Sequence, residues 1–354
     1  MKYILSIVAA VAALVLLLEP AVIGASVRSS VNICLEVMVP SLFAFTVLAV
    51  YLQESGLYRV MLKPFTLPLS KLMGLEEELC AVYLLSNIGG YPVGAKLLTR
   101  FVESGRLSQN DASRMLCFCY GSGPSFIISI VGLRVFDSAA AGIVIFAACF
   151  LSSFVIGIIV SRCGKHIQLS PDDTAFDLSS ACFVTSVMSA ARVMFTVCIM
   201  IVCFSAITSI VEITGVISLA ETLFSLIGAN ENAANILPIL MEISCIQRLI
   251  PSNSLTAALS ATMLSFGGVC VIMQIKAISE ARISLKPFLL SRIPAMLLSG
   301  TLTAFAAPFI NTVVQNEYIP TSSSIQTDVF SVNAGMSLCV LMMCGMLLTF
   351  SHEK

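Results

Sequence analysis

Apolar runs of about twenty residues follow one another along almost the whole chain, and nothing else in it constrains the fold as strongly. A helix needs about 20 predominantly apolar residues to cross roughly 30 Å of hydrocarbon. Runs of that kind occupy 2–24, 31–53, 114–133, 138–161, 186–211, 233–250, 288–310 and 335–351. Composition points the same way, with 58% of the 354 residues hydrophobic and 11% charged. A water-soluble surface takes about 25% charged residues, so most of this surface must face something apolar. The expected fold is an all-α integral membrane protein of about eight transmembrane helices, multi-pass in the cytoplasmic (inner) membrane. Membrane lipid is then its first partner.

Several function classes are excluded early. The net charge of −1 leaves no basic face for a nucleic-acid partner. The thirteen cysteines are scattered through apolar runs (Cys34, Cys149, Cys198, Cys203, Cys270), with no Cys-x-x-Cys pairs. Cys117 and Cys119 are close in sequence, but two residues apart in a helix point to different faces. The two histidines, His166 and His352, sit in a loop and in the tail, so no catalytic triad can be assembled from them. No enzyme, cofactor or metal site is expected. Gly89, Gly94 and Lys96 approach a phosphate-binding loop, but one residue too many precedes the lysine and no Ser or Thr follows it. Residues 2–24 read as an uncleaved first span, although Gly24-Ala25-Ser26 has the small residues of a signal-peptide site.

Basic residues set the sidedness. Lys2, the Arg59–Lys71 segment, the Lys96–Arg114 segment, Arg162 with Lys165, and Lys276–Arg292 belong inside. The stretch between Arg192 and Arg248 has only glutamates, and 311–335 has no basic residue, so both belong outside. Segment 57–74 mixes Arg59, Lys63 and Lys71 with apolar residues and two prolines, a pattern suited to the membrane interface. Lys71 and Lys96 fall on one side, yet 79–95 between them is apolar and must leave and return as a re-entrant hairpin. It is broken at Ser86-Asn87-Ile88-Gly89-Gly90-Tyr91-Pro92-Val93-Gly94. The same argument makes 256–275 a second hairpin, broken near Ser265-Phe266-Gly267-Gly268. The expected organisation is an N-terminal transmembrane helix (1–30), a first half (31–161), a cytoplasmic linker (162–182), a weakly similar second half (183–310), and an external loop with a C-terminal transmembrane helix (311–354).

In hydrocarbon, non-helical backbone survives only where protein or a water-filled cavity satisfies it. Three such places are Ser86–Gly94, Tyr120–Ser125 and Ser265–Gly268. Interrupted helices hold the substrate in many secondary transporters, whereas isolated glycines more often permit close helix packing. With Ser, Asn and Tyr beside three breaks, a polar cavity is the stronger reading. Its expected lining is Ser86, Asn87, Gly89, Gly90, Tyr91, Ser122, Ser125, Glu242, Gly267, Gly268 and Gln274. Glu242 is the deepest intramembrane ionisable residue, and it suits a coupling cation or proton as well as it suits pairing with Arg192. Glu36 and Arg248 lie near enough to an interface to snorkel. Glu76-Glu77-Glu78 fits the first turn of the first hairpin limb, and Ser108 with Asp111 reads as a helix N-cap.

The string Gly89-Gly90-Tyr91-Pro92-Val93-Gly94-Ala95-Lys96, followed by Arg100, Gly105 and Leu107-Ser108, resembles the YlbJ-like sporulation integral membrane proteins. These fall in the nucleoside-recognition (Gate) domain family, with spore maturation proteins and the membrane part of ferrous iron transporters. Ser265-Phe266-Gly267-Gly268, Gln274 and Pro287–Arg292 resemble that family's second half, and the likeness runs over roughly 30–310. The chain departs from the family pattern at Gly121 and Gly123, where asparagines are usual, at Ile272 in place of a histidine, and at Ile243-Ser244-Cys245 after Glu242. Each departure removes a polar group from the presumed cavity. The resemblance implies two Gate-like halves and a role in endospore formation, with a transporter-like core that binds or passes a small polar solute. The alternative it implies is a non-transporting scaffold of a sporulation membrane complex. Its protein partner would then be that complex or a homo-oligomer.

Overall fold

The structure, a computed structural model, describes residues 2–170, 176–226, 232–251, 254–280 and 282–317. Among them all regular structure is helical. Helix α1 (Lys2–Leu18) stops where Glu19 and Pro20 interrupt the first apolar run, and α2 (Pro20–Ser55) continues through a π-wound stretch at Cys34–Met38. Two short helices, α3 (Tyr58–Met61) and α4 (Lys63–Met73), lead to α5 (Glu77–Gly89), α6 (Tyr91–Glu103) and α7 (Gln109–Leu116). After a non-helical stretch come α8 (Pro124–Val135), α9 (Ala139–Arg162), α10 (Ser180–Ile213) and α11 (Val216–Ser225). Then α12 (Ala233–Met241), a 3-10 turn (Ile243–Arg248), α13 (Ser254–Phe266), α14 (Gly268–Ile278) and α15 (Lys286–Glu317) complete the described chain.

Five helical stretches are long and apolar enough to cross a membrane: Pro20–Ser55, Ala139–Arg162, Ser180–Ile213, Leu255–Ile278 and Lys286–Pro308. The described residues show five such stretches where eight runs were expected, and the differences have physical reasons. The run 2–24 is cut at Glu19–Pro20. The run 114–133 loses its helix between Leu116 and Pro124, and 233–250 breaks at Glu242. The run 335–351 lies outside the described residues.

The long helices are apolar on their outer faces, and small polar residues are buried among the apolar core between them. Phe195, Ile159, Leu297 and Phe305 are exposed on α10, α9 and α15, whereas Ser152, Ser161, Ser186, Ser205, Ser299 and Thr303 are buried on the same helices. Without a hydrophobic force between helices in lipid, small residues and inter-helix hydrogen bonds hold such contacts. Ser26 and Ser205 meet at 2.9 Å between α2 and α10, and Ser152 donates to the Ala295 carbonyl of α15 at 3.1 Å.

The acidic run before α5 does what its position suggests. Glu77 and Glu78 occupy the first turn, where negative charge complements the helix dipole. Glu78 also gathers Arg59 (3.3 Å) and Arg106 (2.8 Å), and accepts from the Tyr58 hydroxyl. Burial, then the Glu78 contact, pushes that hydroxyl above its usual range. Ser108 caps α7 by accepting from the Asp111 N–H at 3.1 Å.

The two predicted hairpins differ. At Gly90, with φ +92°, α5 turns back onto α6 so tightly that an added Cβ on Gly94 would sit 2.9 Å from Ser86 Cβ. At Gly267 the limbs part instead: α13 packs along α15, and α14 lies against α6 and α10. The second element is therefore a bent crossing rather than a closed hairpin. Gly267 and Gly268 both take positive φ (+83° and +86°), which turns the chain without folding it back.

Candidate functional site

The three interruptions foreseen in the sequence meet at one place. An added Cβ on Gly123 would lie 3.2 Å from both Gly90 Cα and the Ile88 carbonyl, so the stretch before α8 runs backbone to backbone against the α5–α6 turn. Tyr91 and Tyr120, one from each of these segments, pack in a tilted pair with ring centroids 4.8 Å apart. Both then reach the third interruption.

The end of α13 shows what holds this junction. The Gly267 N–H bonds the Met263 carbonyl at 2.8 Å, which leaves the next three carbonyls without helical partners. The Tyr91 hydroxyl donates to Leu264 O (2.7 Å), Arg292 Nη1 to Ser265 O (3.1 Å), and the Tyr120 hydroxyl to Phe266 O (2.8 Å). Gly267 is required for the last of these, since a Cβ there would fall 1.7 Å from the Tyr120 hydroxyl oxygen. The carbonyl ends of the broken helix are thus satisfied by protein side chains.

Two small voids flank the junction. One, of about 20 Å³, is bordered by Asn87, Ser122, Ser152, Ser153, Ser265 and Arg292. The other, of about 30 Å³, is bordered by Tyr91, Ser122, Glu242 and Gln274 with apolar residues of α2, α8, α10 and α14. On this measure a water needs roughly 10–15 Å³, so the voids hold waters or a bare ion and nothing of nucleoside size. Ser122 borders both, and its hydroxyl donates to the Tyr91 hydroxyl at 2.6 Å.

Most of the residues expected to line a cavity are brought together here. Asn87, Tyr91, Ser122, Glu242 and Gln274 border the voids and are at most 7% exposed. Gly89, Gly90, Gly267 and Gly268 serve as close-approach or turning positions. Ser86 is buried but donates to the Tyr83 carbonyl of its own helix and borders neither void, and Ser125 borders neither. The expected Glu242–Arg192 pair is not formed. Arg192 is exposed on α10, whereas Glu242 accepts from the N–H and hydroxyl of Ser244, and Arg248 pairs with Glu212 at 2.6 Å. Among the described residues no group of three His, Cys, Asp or Glu side chains could hold a metal ion.

Sequence reasoning missed Arg292, counting it in an internal basic cluster. It is 3% exposed, stacked on Tyr120 (4.5 Å) and Phe288 (4.6 Å), and also donates to the Cys117 carbonyl. No carboxylate among the described residues pairs with it, and its Nε has no hydrogen-bond partner. The signal available was its place six residues into an apolar stretch beginning at Lys286, close to the break at Gly267 in the same half.

With this geometry described, comparison with known proteins gives one clear relative. The sporulation integral membrane protein YlbJ of Bacillus subtilis (strain 168) is 28% identical over 319 residues, covering 80% of this chain and 75% of that protein. The chain is YlbJ-like. No family model matches it, and no solved structure does either. The YlbJ-like assignment therefore rests on a likeness running over most of both chains, and it agrees with an all-helical multi-pass membrane protein.

Proposed function

We propose that this YlbJ-like chain acts in endospore formation as a carrier whose core binds and passes a small polar solute. The observation that carries the reading is the convergence of three interrupted segments on Tyr91 and Ser122, with a small void bordered by several polar side chains on each side. Interrupted helices at a buried polar crossing are the usual place for a transporter's substrate. Ser122 borders both voids, and in this reading the opening of its bond to Tyr91 joins them. The sporulation role is supported by what the relative is named.

A scaffold without transport is favoured by one feature, the capping of Leu264, Ser265 and Phe266 by protein side chains rather than by an accessible cavity. Solute flux into vesicles containing the purified chain separates the two readings. For a carrier, Asn87→Ala and Glu242→Ala abolish flux while the protein still inserts. If every polar solute tried crosses no faster than through empty vesicles, the carrier reading fails.

A further inference from the structure

Glu242 is 2% exposed, and among the described residues no Lys, Arg or His forms an ion pair with it. Arg248, six residues on, is committed to Glu212. Burying an unpaired charge costs far more than a hydrogen bond returns, and the Ser244 contacts offset only part of that cost. Such a carboxyl is neutralised either by its own proton or by a cation in the adjoining void, and the lining of that void favours the cation.

The lining of that void identifies the chemistry. The Tyr91 hydroxyl proton is spent on Leu264 O, the Ser122 hydroxyl proton on Tyr91, and the Gln274 amide nitrogen is turned to Cys270 Sγ at 3.3 Å. Apart from the second amide hydrogen of Gln274, what these side chains keep free is oxygen lone pairs, beside a carboxylate that ends helix α12 at its carbonyl pole. Hard cations take oxygen ligands. One carboxylate supplies one negative charge, so a single monovalent ion balances it. At about 30 Å³ the space suits a bare ion with a water better than a bulky organic cation.

The geometry points to a binding site for one small monovalent metal cation, of sodium's size, between Glu242, Gln274, Ser122 and Tyr91. If the chain is a carrier, this is its coupling ion. That role rests on the proposed function, whereas the site itself does not, so the test reads binding without flux. Binding of radioactive sodium to the purified full chain in detergent, at constant ionic strength made up with choline, should saturate near one ion per chain. Glu242→Gln, which keeps the shape and the Ser244 contact, should weaken it by roughly tenfold or more. Gln274→Ala should weaken it while Glu242 stays in place, and sodium should raise the wild-type melting temperature but not that of Glu242→Gln. No saturable sodium binding in wild type, or equal binding in wild type and Glu242→Gln, overturns the site. So does wild-type stability that follows pH and ignores sodium, since a proton would then be the neutralising ion. Sodium binding without solute flux would keep the site and remove the carrier reading.

Discussion

Replacing Gly94 by alanine should destabilise the folded protein severely. Gly94 faces the non-helical stretch before α8, and a Cβ built on it falls 2.0 Å from the Cys119 carbonyl oxygen and 2.9 Å from Ser86 Cβ. The carbonyl belongs to the backbone, so no side-chain rotation relieves the clash, and α6 would have to part from the junction. Overpacking a core costs about 1–3 kcal/mol and occasionally more, and this contact belongs at the upper end. The expected result is loss of the monodisperse peak on size exclusion, or a melting temperature too low to measure. Gly24→Ala is the control: nothing lies within 4 Å of that position, which is helical, so its stability should hold or rise slightly. Equal behaviour of the two variants would mean that α6 does not pack where the structure puts it.

Arg292 is expected to show the second large effect. It caps Ser265 O and Cys117 O and lies against two aromatic rings. Arg292→Met keeps much of the volume but orphans the Ser265 carbonyl, leaves the Cys117 carbonyl only a long bond from Ser291, and forfeits the cation–π contacts. A loss of roughly 1–3 kcal/mol from the orphaned carbonyl, and more from the rest, follows. Arg292→Lys should rescue little, because an ammonium cannot present the planar fork that serves both carbonyls and stacks on Tyr120. There is a competing outcome. A buried charge can cost more than its contacts return, and apolar replacements of such groups are sometimes stabilising. A melting temperature for Arg292→Met equal to or above wild type would therefore contradict the capping role, and thermal unfolding in detergent decides between them.

The breaks were legible because glycine and proline announce them: Gly90, Gly123 and Gly267 all adopt the positive φ that their residue type permits. The first hairpin was legible too, since an apolar run between two basic segments has few other solutions. What the chain order hides is which break touches which. Tyr91 and Leu264 are 173 residues apart, and nothing in their spacing pairs them. The same blindness produced the Glu242–Arg192 expectation, which matched opposite charges without knowing that Arg192 faces outward from α10. Arg292 was misread because a positive charge near Lys286 looks like a loop signal until the helix it starts is seen to carry it inward. Hydropathy registers apolar runs and not the short non-helical stretches, such as the one between α7 and α8, that divide them.

Reactivity of a thiol placed at residue 122 probes the junction most directly. Ser122 forms the wall shared by the two voids, and Cys119, three residues before it, is fully buried and supplies an internal reference. In Ser122→Cys protein in sealed vesicles, small hydrophilic thiol reagents applied from each side are followed by site-resolved mass spectrometry. A junction that opens predicts labelling at residue 122 from both sides, much faster than at Cys119. Labelling at residue 122 as slow as at Cys119 from either side would show a permanent seal, and the carrier account would fall.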